Sequence, residues 1–217
     1  MSGRDPYDPI LFDLDGTVID SVALIRDSHR HAVNTVLGLD LPDETLIAMV
    51  GRPLIDQMRE FSDNRAEELL SVYRAWNHAH THELLRAYEG MDRLLGELTA
   101  AGRTLGIITS KSGPTIDLAF DVLPLRHHFT VVIAAEDTDC HKPDPAPIHL
   151  AMERLGADPA RACYVGDAPF DLQAAHAAGV AAIGVTWGFF AREVLAELAP
   201  DALVDTPAEL AAVLIGG

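Results

Sequence analysis

The residues best suited to chemistry in this sequence are two pairs of aspartates. Asp13 and Asp15 stand two apart in the segment DLDGT, and Asp167 and Asp171 stand four apart in GDAPFD. Alternate residues of an extended chain point to one side, and residues four apart share a helix face, so each pair can converge. Carboxylates held close together repel each other unless a cation or a shared proton relieves the repulsion. Oxygen ligands of this kind suit a hard divalent ion, and we predict Mg²⁺.

Hydroxyl groups and a lysine supply the complementary chemistry. Thr109 and Ser110 follow the hydrophobic run LGII, and Lys142 lies in the segment HKPDP. Of the 16 Lys and Arg residues, only Lys111 and Lys142 are lysines. A compact ammonium group at a reaction centre is one role in which arginine does not replace lysine. A nucleophile, a proton donor, a metal and a cation are the parts that phosphoryl transfer uses.

A short hydrophobic run precedes most of these polar clusters. Continuous rather than alternating hydrophobicity is typical of strands buried on both faces of a parallel sheet, and it occurs at residues 10–12, 105–108, 131–133, 162–165 and 181–185. Helical segments with Pro and Gly boundaries alternate with these runs, at residues 91–101, 114–123, 145–155 and 169–178. The sequence therefore predicts an α/β fold with a doubly wound, Rossmann-like parallel sheet, whose strand ends collect the polar clusters.

One segment, residues 18–88, breaks this alternation because it shows helical periodicity and no hydrophobic run of the strand type. Asp20 and Ser21 can cap a helix that ends at Gly38, Asp43 can cap another, and residues 65–85 form a long amphipathic segment. We predict an all-helical cap inserted after the first strand. Residues 1–17 and 89–217 then form the core domain, and residues 18–88 form the cap domain.

The order of the clusters resembles the four motifs of haloacid dehalogenase (HAD) superfamily hydrolases. DLDGT at Asp13, the strand that ends in Thr109-Ser110-Lys111, Lys142-Pro143 and Gly166-Asp167 with Asp171 match those motifs in order and in placement at strand ends. The predicted insert is similar to the mobile α-helical cap of phosphoglycolate phosphatases and β-phosphoglucomutases. The resemblance implies a hydrolase fold of this superfamily with a helical cap.

The resemblance also implies a role for each motif residue. Asp13 is the nucleophile that forms an aspartyl-phosphate, and Asp15 protonates the leaving oxygen and later deprotonates the attacking water. Thr109 and Ser110 hold phosphoryl oxygens, and Lys142 pairs with Asp13 and the transferring group. Lys111 resembles a lysine that often follows the second motif in phosphoglycolate phosphatases, which implies substrate binding; a structural surface role is the alternative.

The same resemblance implies the metal ligands. Mg²⁺ is bound by Asp13, Asp167 and the backbone carbonyl of Asp15, and Asp171 orients a metal-bound water or Lys142. The dehalogenases of the superfamily lack the second aspartate of the first motif, so Asp15 favours phosphate chemistry. Relatives that cleave phosphonates use a cap lysine, and residues 18–88 contain none.

The predicted function is a Mg²⁺-dependent phosphatase of a small, phosphoglycolate-like phosphate monoester. Three alternatives stay open: an inorganic pyrophosphatase of the HAD type, phosphoryl transfer of the β-phosphoglucomutase type, and a non-catalytic sensor that binds metal or phosphate. Arg52, in the segment GRP, either grips a second anionic group of the substrate or is an exposed arginine near a turn. The segment 73–90 resembles the cap of HAD-type bacterial pyrophosphatases. WGFF at residues 187–190 either forms a loop near the site or closes the core, and we predict that it closes the core.

Charge and composition disfavour some classes of binding partner. The 217 residues include 33 acids against 16 bases, for a net charge of −17. This acidity disfavours binding to nucleic acid or to an anionic membrane surface, both of which require clustered Lys and Arg. No run of about 18 apolar residues is present, and the two cysteines fit no disulfide framework. We expect a cytoplasmic monomer or homodimer that acts on a small phosphorylated metabolite.

Overall fold

The chain is built around a six-stranded parallel sheet. The computed structural model describes residues 7–215 of the 217 residues. In chain order the strands are β1 (Ile10–Phe12), β2 (Ile19–Asp20), β3 (Arg86–Ala87), β4 (Leu105–Ile108), β5 (Val131–Ile133), β6 (Cys163–Gly166), β7 (Ala181–Val185) and β8 (Ala202–Val204). The main sheet has the order β5-β4-β1-β6-β7-β8. β1 is therefore central, and the chain changes direction across the sheet beside it, which is where ligands bind in such folds.

Helices cover the sheet and form the insert. They are α1 (Val22–Leu37), α2 (Asp43–Ile47), α3 (Leu54–Phe61), α4 (Ala66–Leu84), α5 (Met91–Ala100), α6 (Gly113–Val122), α7 (Ala146–Leu155), α8 (Pro169–Ala178), α9 (Arg192–Ala196) and α10 (Pro207–Ile215). Glycines in the left-handed conformation follow three of them, at Gly38, Gly156 and Gly179. These are the positions at which the sequence predicts the helices to end, because glycine adopts this conformation without strain.

The side chains of the sheet alternate between two hydrophobic clusters. Ile10 and Phe12 face a cluster that includes residues of α5, α6 and α10, whereas Leu11 faces a cluster that includes residues of α7 and α8. Phe12 pairs with Ile107 on β4 and with Val165 on β6. Because the three strands run in parallel and in register, the residues that follow them lie at one edge of the sheet.

The helical insert has its own hydrophobic cluster. Val33 of α1, Met58 of α3 and Leu69 of α4 are among its fully or almost fully buried members. Two short antiparallel strands, β2 and β3, connect the insert to the rest of the chain. The sequence predicts no strand in this region, and that expectation is wrong, since a two-residue strand leaves no recognisable hydrophobic run. The predicted boundaries of the insert, at residues 18 and 88, fall beside these strands.

The fold class predicted from the sequence is confirmed: an α/β fold with a doubly wound parallel sheet and a helical insert after its first strand. The five predicted strands all belong to the main sheet. The sequence analysis missed β8 and α10, which complete one edge of the sheet and cover it. Within residues 7–215, the helices lack the combination of length and apolar character that crossing a membrane requires.

Candidate active site

The polar clusters meet at the carboxyl edge of the sheet. Asp13 follows β1, and its backbone N–H donates to Val165 O at 2.8 Å, which extends the strand pairing. Asp167 follows β6, and Asp171 lies in the first turn of α8. Each of these three aspartates is at most 4 % exposed and offers a carboxylate oxygen, and the three oxygens lie within 4.8 Å of one another. The structure thus brings together three acids that are dispersed in the sequence.

Lys142 balances part of this negative charge. Its ammonium nitrogen Nζ lies 3.0 Å from Asp13 Oδ1 and 2.7 Å from Asp171 Oδ1. The side chain is buried, which lowers the pKa of the ammonium, but Asp13 and Asp171 raise it more, so the pKa lies well above its usual value. Lys142 is therefore a permanent cation beside Asp13.

The acids themselves are held in an unfavourable environment for charge. Burial raises the pKa of Asp13 to about 7, with Lys142 opposing the shift and Asp171 and Asp15 adding to it. Burial also raises the pKa of Asp167 well above its usual value, and Asp171 and Asp13 raise it further. Two buried carboxylates with raised pKa values are the arrangement that a divalent cation would relieve.

Asp167 is fixed by donors from two loops. Thr17 Oγ1 donates to Asp167 Oδ1 at 3.2 Å, and the backbone N–H of Phe189 donates to Asp167 Oδ2 at 2.7 Å. Both loops approach so closely that they need glycine. A Cβ at Gly16, where φ is +75°, would lie 2.4 Å from Asp167 Oδ2, and a Cβ at Gly188 would lie 2.1 Å from the same atom.

Residues 187–190 combine the two alternatives of the sequence, because they close the core and also form a loop at the site. Trp187 does pack against the hydrophobic cluster of the sheet, and its indole N–H donates to Thr17 O at 3.1 Å. Phe189, however, presents its backbone N–H to Asp167. The sequence did not reveal this contact because a backbone donor leaves no trace in side-chain type.

Both carboxylate oxygens of Asp171 accept hydrogen bonds from other groups of the protein. Its Oδ1 accepts from Lys142 Nζ, and its Oδ2 accepts from the backbone N–H of Ala168 at 3.0 Å. Asp13 has Lys142 at one oxygen, and Asp167 accepts only from neutral donors, so both carboxylates can still be ligands of a hard divalent ion. The donor set is all oxygen and deeply buried, which suits Mg²⁺ with Asp13 and Asp167 as direct ligands and Asp171 as a support for Lys142.

Asp15 lines the same cavity as Asp13 and forms an ion pair with Lys111. Lys111 Nζ lies 2.9 Å from Asp15 Oδ1, and the two side chains are only 11 % and 13 % exposed. The side chain of Asp15 is outside the group of acids that could share a metal among the described residues. Only its backbone carbonyl, as the motif resemblance implies, is left as a ligand.

The end of β4 supplies the hydroxyl groups. Thr109 is buried, and its Oγ1 accepts from the backbone N–H of Lys111 at 3.2 Å, so its own hydrogen can be donated. Ser110 differs, because its Oγ donates to Gly51 O of the insert at 2.7 Å. Both residues of the predicted phosphate-binding pair line the cavity, but the hydroxyl of Ser110 also joins the core to the insert.

A cavity of about 420 Å³ lies between the acids and the insert. Asp13, Asp15, Thr109, Ser110, Lys111, Lys142 and Asp167 line it from the core. Arg52, Gln57, Tyr73, Arg74, Asn77 and His78 line it from the insert. Four of these residues belong to α4, and they form two adjacent pairs, 73–74 and 77–78, that lie one helical turn apart. One face of α4 therefore lines the cavity.

Comparison with known proteins agrees with this geometry. The sequence profile of the family described as "Haloacid dehalogenase-like hydrolase" matches residues 10–185, most of the chain. The chain belongs to the haloacid dehalogenase-like hydrolases. The family resemblance inferred from the motifs is confirmed, and the chain is an enzyme of the hydrolase class.

Relatives of this hydrolase with similar sequences carry one recurrent name. The protein named pyrophosphatase PpaX from Bacillus velezensis is 35% identical over 201 residues, which cover 93% of this chain and 93% of that protein. A solved structure described as a predicted phosphatase from Clostridium acetobutylicum has a TM-score of 0.87 and 26% identity, and the alignment covers 98% of this chain and 100% of that one. A phosphoglycolate phosphatase described as predicted, from Haemophilus somnus, has a TM-score of 0.88 at 23% identity over 96% of this chain and 98% of that one, and shares the fold.

Three residues of this hydrolase's site were missed at the sequence level. Thr17 and Phe189 hold Asp167, and Tyr164 contacts Lys142 through its hydroxyl. A signal existed for Tyr164, because a phenol inside the buried run ACYVG needs a hydrogen-bond partner. For Thr17 the signal was its place directly after DLDG.

Proposed function

We propose that this hydrolase is a Mg²⁺-dependent phosphatase that transfers the phosphoryl group of a small substrate to Asp13 and then to water. One observation carries the proposal. The buried Asp13 carboxylate lies 3.0 Å from the ammonium of Lys142, within reach of a common cation with Asp167, and at the floor of a cavity of about 420 Å³. A nucleophile, a fixed cation and a metal site in one enclosed place are what phosphoryl transfer requires.

In the first half-reaction an oxygen of Asp13 attacks phosphorus, and the bond from phosphorus to the leaving oxygen breaks. Lys142 stays beside Asp13 and balances the negative charge of the transferring group. Thr109, whose hydroxyl hydrogen is free to donate, holds a phosphoryl oxygen. Asp15 gives its proton to the leaving oxygen, so the departing group leaves as an alcohol or as a protonated phosphate.

In the second half-reaction water attacks the phosphorus of the aspartyl-phosphate. Asp15, now a carboxylate, takes a proton from that water, the bond from phosphorus to Asp13 breaks, and inorganic phosphate forms. The Asp13 carboxylate is then restored. Bound Mg²⁺ would supply positive charge that keeps Asp13 ionised and offsets charge on the phosphoryl oxygens.

The insert supports a substrate with a second anionic group. Arg52 has only one weak ion pair, with Glu60 at 3.9 Å, and Arg74 has no ion pair or side-chain hydrogen bond with any residue in 7–215. Both line the cavity of a protein whose net charge is −17. Most surface arginines in such a protein have acidic partners within reach, so two open guanidinium groups over the acids suit an anion on the leaving group.

Inorganic pyrophosphate is the first substrate to test, and phosphoglycolate is the second. Both carry a second anion next to the scissile phosphate, as the two arginines require. Relatives 33–35% identical are named pyrophosphatases, which favours pyrophosphate over the phosphoglycolate-like monoester predicted from sequence. Phosphoryl transfer of the mutase type uses the same core residues and differs in how long the insert keeps water out.

The deciding experiment measures phosphate release from pyrophosphate, phosphoglycolate and 4-nitrophenyl phosphate, each with and without Mg²⁺. We expect Mg²⁺-dependent turnover, with kcat/KM highest for pyrophosphate or phosphoglycolate, the two substrates that carry a second anionic group. Asp13→Asn should lower kcat by about a thousandfold or more, because an amide is a far weaker nucleophile. Undiminished turnover by that variant would reject the mechanism, and binding of Mg²⁺ or phosphate with no turnover of any substrate would favour the sensor alternative.

The proposed setting follows from the same chemistry. A small soluble phosphate compound fits a cytoplasmic enzyme that acts as a monomer or homodimer. No binding to nucleic acid or to membranes is part of the proposal, since a net charge of −17 disfavours both.

A further inference from the structure

Tyr164 is a buried phenol at the centre of the site that the proposed reaction leaves without a role. It lies in β6 and is 0 % exposed. Its hydroxyl oxygen lies 2.9 Å from Ile108 O, 3.2 Å from Lys142 Nζ and 3.3 Å from Asp171 Oδ1. These partners come from the end of β4, from the loop before α7 and from α8, so one atom joins three separate segments.

The number of hydrogens on each group determines which group donates in these contacts. A phenol has one hydrogen, and the shorter distance to Ile108 O makes that carbonyl its acceptor. The oxygen of Tyr164 is then free to accept from Lys142. An ammonium group has three hydrogens, and Lys142 has three acceptors at hydrogen-bond or ion-pair distance: Asp171, Asp13 and Tyr164.

We propose that Tyr164 is a positioning residue that holds the ammonium of Lys142 against Asp13. Asp171 alone fixes one N–H direction, which leaves the ammonium free to rotate about that contact. The phenol fixes a second direction, and the ammonium is thereby kept 3.0 Å from Asp13 Oδ1. Because the Tyr164 hydroxyl donates to a strand carbonyl, it is itself held by the sheet.

The catalytic part of this inference rests on the proposed function, in which Lys142 balances charge at Asp13. Tyr164→Phe keeps the ring and removes the hydroxyl. We expect kcat for the best substrate to fall about ten- to a hundredfold, the usual range for losing one hydrogen bond to a charged group, while KM changes less than about twofold. A merely structural role would instead lower the melting temperature and leave kcat of the folded fraction unchanged.

The position of the ammonium can be measured without any activity. Because Lys111 and Lys142 are the only lysines, the protein labelled with ¹⁵N-lysine has two side-chain ammonium signals, and Lys111→Arg assigns them. In the unsubstituted protein the Lys142 hydrogens should show a nuclear Overhauser effect to the ring hydrogens of Tyr164. In Tyr164→Phe the Lys142 signal should shift and its hydrogen exchange should become at least about tenfold faster, as expected on losing a hydrogen bond to a charged group.

Tyr88→Phe is the matched control. Its hydroxyl donates to Trp187 O at 3.3 Å and has no contact with Lys142. We expect the Lys142 signal and kcat to be unchanged in this variant. An unchanged Lys142 signal in Tyr164→Phe, or no Overhauser effect to Tyr164 in the unsubstituted protein, would overturn the inference, and the second result does not depend on whether a variant folds.

A double-mutant cycle separates this inference from the proposed function. In a Lys142→Met background, Tyr164→Phe should lower kcat no further, because the residue acts through Lys142. Additive losses would refute the positioning role. If Lys142→Met keeps full activity, the proposed mechanism fails, whereas the Overhauser effect and the exchange rates still decide whether Tyr164 holds the ammonium.

Discussion

Lys111 Nζ lies 2.9 Å from Asp15 Oδ1, so the two residues form an ion pair in the lining of the cavity. Both side chains are nearly 90 % buried, which separates this pair from the exposed pairs of the surface. The two lysines of the chain thus each contact one aspartate of the DLDGT segment, Lys142 at Asp13 and Lys111 at Asp15. This arrangement gives the proposed nucleophile, Asp13, and the proposed acid/base residue, Asp15, separate cations.

Lys111→Met should lower kcat/KM for pyrophosphate about tenfold or more. The variant leaves Asp15 without its cation and removes a positive group from the cavity, and a partly buried charge that loses its partner costs more than a surface pair does. Steady-state kinetics on the purified variant measure the effect. Arg93→Gln, which breaks the exposed pair with Glu97 at 3.0 Å, is the control and should keep full activity. Equal kinetics for the Lys111 variant and the parent would exclude this role.

Mg²⁺ should stabilise the protein through Asp13 and Asp167. At about a hundred times its dissociation constant, a ligand that binds only the folded state adds about 2.7 kcal/mol, which raises the melting temperature of a chain of this size by about 5–10 °C. Asp167→Asn should lose most of that shift, because it removes a carboxylate from the metal site. Thermal melts with and without Mg²⁺ check this.

Asp117→Asn is the control for the metal experiment. Asp117 is an exposed residue of α6, remote from the three buried acids, and its variant should show the full Mg²⁺ shift. A Mg²⁺ shift of the same size in Asp167→Asn as in the parent would contradict the assignment of Asp167 as a ligand.

How much of the fold the sequence predicts depends on the length of each pattern. α8 begins at Pro169 and ends before Gly179, as predicted, because proline and glycine mark its two ends chemically. The strands β1 and β4 are continuous hydrophobic runs followed by polar residues, so both were predicted. β2 is two residues long, and its partner β3 lies at the other end of the insert in sequence. No local sequence pattern therefore predicts this strand.

The sequence predicts less of the site where backbone groups or contacts between distant segments form it. Spacing predicts that Asp13 and Asp15 lie on the same side of the chain, and both line the cavity. The ion pair of Asp15 with Lys111 joins residues 96 apart, which spacing does not predict. The hydroxyl of Ser110 likewise meets a carbonyl 59 residues away, at Gly51, a contact that no local pattern encodes.

Arg74→Ala should raise KM for pyrophosphate about tenfold and leave KM for 4-nitrophenyl phosphate unchanged. The guanidinium has no partner in residues 7–215, so the effect of its loss should come from a missing contact with the second anion. Because Arg74 is exposed, we expect about 1.5 kcal/mol, the low end for a hydrogen bond to a charged group. Arg52→Ala should show the same split. The comparison needs both substrates assayed on one preparation.

Arg59→Ala is the control for the two cavity arginines, because Arg59 lies on the same insert but pairs with Asp56 at 2.8 Å and is half exposed. It should leave both substrates unaffected. If the cavity variants raise KM equally for the aryl phosphate and for pyrophosphate, the arginines do not recognise the leaving group.

His29 should make the insert sensitive to acid. The residue is fully buried among aromatic rings, with ring centroids 4.9 Å from Tyr73 and 5.7 Å from Phe61. Burial lowers its pKa from 6.5 to about 4, and the acceptor groups of Gln57 and of the Ile25 backbone oppose the shift only in part. Between these two values the unfolded chain binds a proton that the folded chain does not, so stability falls as the pH falls.

The size of this effect follows from the shift. From pH 7 to pH 5, the contribution of His29 to the free energy of unfolding should fall by about 2 kcal/mol. Because Asp13 and Asp167 titrate in the opposite sense, the measurement is the difference in unfolding free energy between the parent and His29→Leu, taken by urea denaturation at both pH values. A difference that does not change with pH would show that His29 is not held neutral.

Gly188→Ala should lower Mg²⁺ affinity although it replaces none of the proposed ligand residues. The new Cβ would lie 2.1 Å from Asp167 Oδ2 and 2.5 Å from Asp167 Cβ, which forces the carboxylate or the loop to move. Supporting groups of this kind typically change metal affinity by about ten- to a hundredfold, and we expect a loss of that size in Mg²⁺ affinity, measured by titrating activity with Mg²⁺.

Gly96→Ala is the control, because it makes the same substitution where space is open. No atom lies within 4 Å of the new Cβ in the middle of α5. That variant should keep its Mg²⁺ affinity and gain about 0.5–1 kcal/mol of stability, because alanine favours the helix. Equal Mg²⁺ affinity in the two variants would mean that the loop at Gly188 yields and that Asp167 is not held by it.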